Sequence, residues 1–183
     1  ELIALARSKP GTLNYASAGA GGSSHLAGEL FKSLAGVSIV RVAYKGGTNS
    51  ILAVVTGEVQ LAFSGAGSAT PHVKAGRLRA LAVTGSRPSA LFPALPMVAE
   101  SGLPGYAVES MDAIFVPAKT PAAVIKRLNR EIVQVLNRAD VKERLLNIGV
   151  EVASSSPEEL AATVKSEMAK WSKLIKDAGI RAE

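Results

Sequence analysis

The sequence has 183 residues, of which 48% are hydrophobic and 4% aromatic, with no cysteine and a formal net charge of +6. That much apolar material builds one large domain or one and a half and excludes disorder, and no run of about 18 uninterrupted apolar residues offers a membrane-spanning helix. The basic balance suits acidic small molecules, an anionic membrane or nucleic acid, but the scattered basic residues and few aromatics argue against nucleic acid as a partner.

Residues 1–9 read as a helix with Leu2, Ile3, Leu5 and Ala6 inward, stopped by Pro10-Gly11. No basic segment followed by an apolar one opens the given sequence, so no signal peptide is expected within it. Leu13 and Tyr15 alternate with Asn14 as in a short strand, and Leu26, Leu30, Phe31 and Leu34 recur at helical spacing. Between them lie Ser17, Ala18, Gly19, Gly21, Gly22, Ser23 and Ser24 with nothing bulky. A strand, a small-residue turn and a helix start form an anion site from backbone amides and the positive end of the helix dipole. A purely structural turn has the same composition.

The nucleotide motifs fail here. Gly19 and Gly21 fit the dinucleotide fingerprint, but Ser24 stands where its third glycine belongs, and the next strand ends in Val42-Ala43-Tyr44-Lys45 without a carboxylate. Gly-Lys-Ser/Thr and Gly-x-Ser-x-Gly are both absent. Ser24 and His25 are neighbours on a helix start and do not form a catalytic pair on spacing alone. What remains suits holding a carboxylate rather than reacting with it.

The pattern then repeats. Residues 37–44 are a β-branched run typical of a buried strand, followed by Lys45-Gly46-Gly47-Thr48-Asn49 and a helix through Ile51, Leu52, Val54 and Val55, with Thr48 or Asn49 as its cap. Lys45 is either a ligand or lobe contact or an ordinary surface lysine. Residues 59–63 form a third strand, the turn Ser64-Gly65-Ala66-Gly67-Ser68 a third small-residue connection, and a helix runs through Pro71, His72 and Val73 to Gly76. Residues 78–83 read as a fourth strand. Alternating strands and helices with short connections predict a parallel α/β sheet whose turns gather on the edge where such sheets bind ligands.

His25 is read as packing or hydrogen-bonding within the first helix turn, and His72 as a surface helix residue; neither has metal-ligand partners at suitable spacing. Residues 87–96 are proline-rich and irregular, 98–102 a helical turn, and 106–116 a long extended segment, with Asp112 facing out or bonding backbone. Thr120-Pro121 starts a helix with Val124, Ile125, Leu128, Ile132, Val135 and Leu136 as its stripe; Val141, Leu145 and Leu146 lie on the next, and Val150-Glu151-Val152 is a short strand. Ser156-Pro157-Glu158-Glu159 caps the last helix, whose stripe of Leu160, Val164, Met168, Trp171, Leu174 and Ile175 needs a partner. Lys165, Lys170, Lys173 and Lys176 form a solvated face there.

Blocks in order along essentially the whole chain resemble the tripartite tricarboxylate transporter substrate-binding proteins, the TctC or Bug family. They are 15–19, 22–31, 42–47, 74–83, Glu100-Ser101-Gly102-Leu103, Pro117-Ala118-Lys119-Thr120-Pro121 and 170–180. The resemblance implies a periplasmic-binding-protein-like α/β fold with a parallel or mixed sheet and flanking helices. Residues 1–108 would be the second lobe of a two-lobed receptor, and 109–183 the hinge crossover and C-terminal helices of an incomplete first lobe, because the family's export signal and N-terminal part have no counterpart here. It implies a periplasmic, non-enzymatic receptor that needs no cofactor and hands a small carboxylate to transporter membrane subunits. The family often has Trp around the position of Met111. The last helix's partner would be the first lobe, and its absence leaves apolar surface that a homodimer would cover. The alternative from a different class is an α/β enzyme acting on an anionic small substrate, with Ser17, Ser24 or His25 in the chemistry.

Overall fold

A computed structural model of the chain describes residues 1–181. Its centre is a three-stranded sheet of order β2-β1-β3, made of β1 (Asn14–Ser17), β2 (Val40–Ala43) and β3 (Leu61–Ala62). Both pairings are parallel, with Tyr15 opposite Arg41 on one side and opposite Leu61 on the other. Tyr15, Ala16 and Ser17 of the middle strand are completely buried, as expected where helices cover both faces of a parallel sheet.

One face is covered by α2 (Ser23–Ala35), which buries Leu26, Ala27, Gly28, Phe31 and Ala35. Gly28 is dictated by packing: a Cβ there would lie 2.3 Å from the Tyr15 ring. The same core takes in Ala6, Leu13, Ile39, Leu103, Tyr106 and Val108. The Tyr15 and Phe63 rings meet edge to face at 5.8 Å. The other face is smaller, with Ala53 and Val59 packed on Ala16 beneath α3 (Gly47–Val55). The chain enters through α1 (Leu2–Ser8), on which Ala6 is fully buried while Leu5, read as inward, stays 43% exposed.

Several expected elements differ. The strand read over 37–44 is shortened to Val40–Ala43, because Val37 and Ile39 approach the core before the ladder begins. The strand read over 59–63 keeps only Leu61 and Ala62 in the ladder. Residues 78–83 form no strand. Val83 bridges Met97, its amide donating to Pro96 O and its carbonyl accepting from Val98 N, so the segment pairs locally with 96–98 and does not extend the sheet. Val150-Glu151-Val152 likewise finds no ladder. Thr48 and Asn49 do not cap α3. Gly46 is the N-cap at φ 89°, a backbone region that favours glycine, and Asn49 Nδ2 instead donates to Lys45 O.

The helices beyond the sheet are less buried. α4 (Ala66–Lys74), α5 (Ala122–Leu136) and α6 (Ala139–Asn147) bury no residue, and Val124, Leu128 and Val135 of α5 face solvent. His72, read as a surface residue, is half-buried on α4. The last helix, α7 (Pro157–Asp177), has a partner within this chain. Its C-terminal half lies against α2, burying Leu174 and placing Trp171 on the main core, whereas Met168 remains 65% exposed. Lys170 Nζ donates to Ala107 O at 2.6 Å and lies over the Trp171 ring, so α7 also holds the extended segment that follows Tyr106. Asp112 is exposed.

Candidate functional site

Because β1, β2 and β3 are parallel, their carboxyl ends leave the sheet at one edge, and each leads through a short turn into a helix. The helices that follow are α2, α3 and α4, with N-caps Gly22, Gly46 and Gly65, and none of these starts has a side-chain cap. The first amides of a helix have no partner within it. Where no side chain caps the start those amides stay available, apart from Ser68 N of α4, which donates to Gly65 O at 3.2 Å, and they share the positive end of the dipole. The turns are adjacent. Tyr44 N donates to Ser17 O at 2.9 Å, and a Cβ on Gly47 would lie 3.6 Å from Ser68 Oγ. Backbone donors at this edge can bind an anion without a charged side chain of their own.

The first turn is the most elaborated. Ser17, expected as a ligand donor, is fully buried; its hydroxyl donates to Ala18 O and accepts from Arg41 Nε at 2.7 Å. Ser24 Oγ accepts from Ala18 N at 3.0 Å, and His25 Nδ1 accepts from Gly21 N at 3.1 Å. These side chains shape the turn from inside. Gly19 and Ser23 are exposed on its outer side, with Ala18, Gly22 and Ser24 half-buried. Behind the turn, Glu29 is buried and accepts from Tyr15 Oη and from Lys32 Nζ, each at 2.8 Å. Burial, reinforced by the Glu29 hydrogen bond, pushes the Tyr15 hydroxyl far above its ordinary pKa, so it stays a neutral donor.

The second turn is the most open. Lys45, Gly46, Gly47 and Thr48 are all exposed. The third is partly covered. Ser64 is half-buried and Gly65 exposed, but the connection after α6 lies against the start of α4: a Cβ on Gly67 would sit 2.5 Å from Ile148 O. Gly149, at φ +86°, could not carry a Cβ without meeting Gly67 N at 2.2 Å. The structure therefore brings the expected site residues to one edge, gives Ser17 and Ser24 internal roles, and brings the Ile148-Gly149 connection against the third turn.

Two participants were missed by sequence reasoning. Arg41 donates through Nε to Ser17 and through Nη2 to Ala18 O at 3.1 Å, and its signal was a charge between Val40 and Val42 in an otherwise apolar strand. The Gly67–Gly149 contact had no local signal, since it joins residues far apart in sequence. Among the described residues, no cluster of three or more His, Cys, Asp or Glu side chains is arranged as metal ligands, and no helix is long and apolar enough to cross a membrane.

Comparison with known proteins gives the family and the fold. The model of the tripartite tricarboxylate transporter family receptor matches residues 1–180. A protein from the tcbD-tcbE intergenic region of Pseudomonas sp. (strain P51) is 38% identical over 183 residues, covering 100% of this chain and 54% of that protein. Bordetella pertussis BugT is 29% identical over 180 residues, covering 98% of this chain and 55% of its own length. Among solved structures, R. palustris Rpa4515 with adipate superposes at a TM-score of 0.88 with 34% identity, covering 100% of this chain and 61% of that one. MatC from Rhodopseudomonas palustris with bound malate superposes at 0.76 with 27% identity, over 95% of this chain and 60% of that one. The periplasmic binding protein BugD gives 0.82 at 28% identity, over 100% of this chain and 62% of that one. The chain spans about half the length of the curated relatives it matches. The match along nearly its whole length places the chain in the TctC family of tripartite tricarboxylate transporter receptors.

Proposed function

We propose that the chain supplies one side of the ligand cleft of a periplasmic solute receptor that binds a small carboxylate and delivers it to the membrane subunits of a tripartite tricarboxylate-type transporter. Residues 1–108 act as one lobe, and 109–183 contain the crossover and the helices of the other. The observation that carries the reading is the set of glycine N-caps without side-chain caps, gathered at the carboxyl edge of a parallel sheet. One carboxylate of the ligand accepts hydrogen bonds from amides of the turns at 17–24 and 45–48, with 64–68 beside them, and movement about the extended segment after Tyr106 closes the cleft. Adipate and malate, which accompany Rpa4515 and MatC, make a dicarboxylate the first ligand class to try, with tricarboxylates, acidic amino acids and aromatic acids next.

The enzymatic alternative has less support, because Ser24 and His25 each bond turn backbone and Ser17 is enclosed. Exposed apolar side chains on α5 leave room for self-association. The test is a thermal-shift screen against adipate, malate, succinate, citrate, glutamate and phosphate. It uses this chain and a chimera in which the chain replaces the matching part of Rpa4515. A saturable rise in melting temperature with a carboxylate is expected. A chimera that folds and responds to none of them contradicts the reading.

A further inference from the structure

We propose that Arg41 is the positioning residue of the first turn: it fixes the Ala18–Gly19 peptide so that the Gly19 N–H faces outward as a donor to a bound carboxylate. The proposal rests on the reading of this turn as a carboxylate site. Arg41 lies on β2 opposite Tyr15, which aligns its side chain with the end of β1. Its guanidinium makes two contacts with the turn: Nε donates to Ser17 Oγ at 2.7 Å and Nη2 donates to Ala18 O at 3.1 Å. Ser17 Oγ donates to the same carbonyl at 3.0 Å. The Ala18 carbonyl is therefore held by two donors, one from the end of β1 and one, Arg41, from β2.

A trans peptide is planar, and its C=O and N–H point in opposite directions. No peptide bond in the described residues is cis. Anchoring Ala18 O toward Arg41 thus turns the Gly19 N–H away from β2, and Gly19 is exposed. The flanking peptide cannot compensate by rotating, because Ala18 N is engaged by Ser24 Oγ on α2. Downstream, Gly21 N is held by His25 Nδ1, also from α2. The turn is rich in glycine and would otherwise sample several peptide orientations. Arg41 removes that freedom before ligand arrives, which lowers the cost of binding. An arginine suits the task because its rigid fork delivers two donors in fixed directions.

The test compares the wild type with Arg41→Met, Arg41→Lys and Ser17→Ala, each checked for folding by circular dichroism. In the free proteins, the backbone amide of Gly19 is followed by NMR. Arg41→Met is expected to move or broaden the Gly19 resonance and speed its exchange, while amides of Leu30 and Phe31 on α2 stay unchanged. In malate and adipate titrations, Arg41→Met is expected to weaken affinity by about tenfold or more, as for a lost charge-assisted contact. Arg41→Lys, which restores one donor to Ala18 O, recovers part of that loss, and Ser17→Ala loses less than Arg41→Met. A folded Arg41→Met variant with an unaltered Gly19 amide overturns the proposal, as does an affinity within twofold of the wild type. If Arg41→Met does not fold, the same readings are taken from Arg41→Lys and Ser17→Ala, and an unaltered Gly19 amide in both overturns it. A wild type that binds neither acid counts against the carboxylate reading alone, because the free-protein comparison still decides the peptide orientation.

Discussion

The helix α7 and the helices α2, α3 and α4 begin differently. At α7 the start is closed by its own side chains: Ser156 Oγ accepts from Glu159 N, Glu159 Oε2 accepts from Ser156 N, and Pro157 occupies the first turn. At α2, α3 and α4 the cap is glycine and no side chain fills the amides. The first kind spends its donors on stability. The second leaves them at the carboxyl edge of the sheet, where three strands end together. Where side chains leave such starts uncapped and the chain folds so that several of them meet, their amides can together serve an anion.

The largest effect is expected at the foundation beneath the open starts. Gly28→Val places a side chain into the Tyr15 ring, where even a Cβ would come within 2.3 Å. Overpacking of this kind costs about 1–3 kcal/mol or more, so urea unfolding shows a markedly lower midpoint and the ligand response falls with the fold. Ser156→Ala removes the closed cap of α7. It is expected to cost about 1 kcal/mol in chemical denaturation and to leave carboxylate affinity untouched, because that start is not part of the edge.

A pH series separates the extended segment after Tyr106 from the edge. Hydrogen bonds from Ser86, first through its hydroxyl and then through its backbone amide, hold the Glu109 carboxyl below its ordinary value of 4.5. A carboxyl whose pKa is lowered by folding adds stability that is complete above its unfolded pKa and is lost as pH falls through the folded one. The wild type is therefore expected to lose melting temperature between pH 5 and pH 3 more steeply than Glu109→Gln, and equal slopes would remove Glu109 from the account. The smallest stability effect, and the sharpest contrast, comes from Gly65→Asp, which gives α4 a side-chain cap. Its backbone at φ −61° accepts the residue and nothing lies within 4 Å of the new Cβ. Stability is expected to rise by a few tenths of a kcal/mol at most, while carboxylate affinity falls because an attached carboxylate now occupies the amides. Unchanged affinity would separate the third turn from the site.

Much of the edge was legible in the sequence because it is built from local signals. Gly-rich turns between β-branched runs and helical stripes name strand, turn and helix within 20 residues or so, and the repetition names the parallel sheet. Errors arose where the outcome depended on distant partners. Residues 78–83 have strand-like composition, but Val83 meets Met97 and not β3. The α7 stripe was assigned a partner outside the chain, yet Trp171 and Leu174 find the α2 side of the main core. Ser17 and Ser24 looked like ligand donors because hydroxyls beside glycines suit that task, and only the geometry of Arg41 and Ala18 shows them facing inward. The approach of Gly149 to Gly67 depends on how α6 is placed, which no local pattern records.

The measurement that tests the central claim most directly is an NMR titration of the labelled chain with malate and adipate, following every backbone amide. Saturable shifts are expected at Gly19, Ser23 and Ser24 and at Gly47 and Thr48, with the α7 start at Glu158 and Glu159 unmoved. Shifts centred instead on the apolar groove lined by Val73, Leu78, Phe92 and Leu95 would contradict it. So would saturable binding that leaves the glycine-capped amides unmoved.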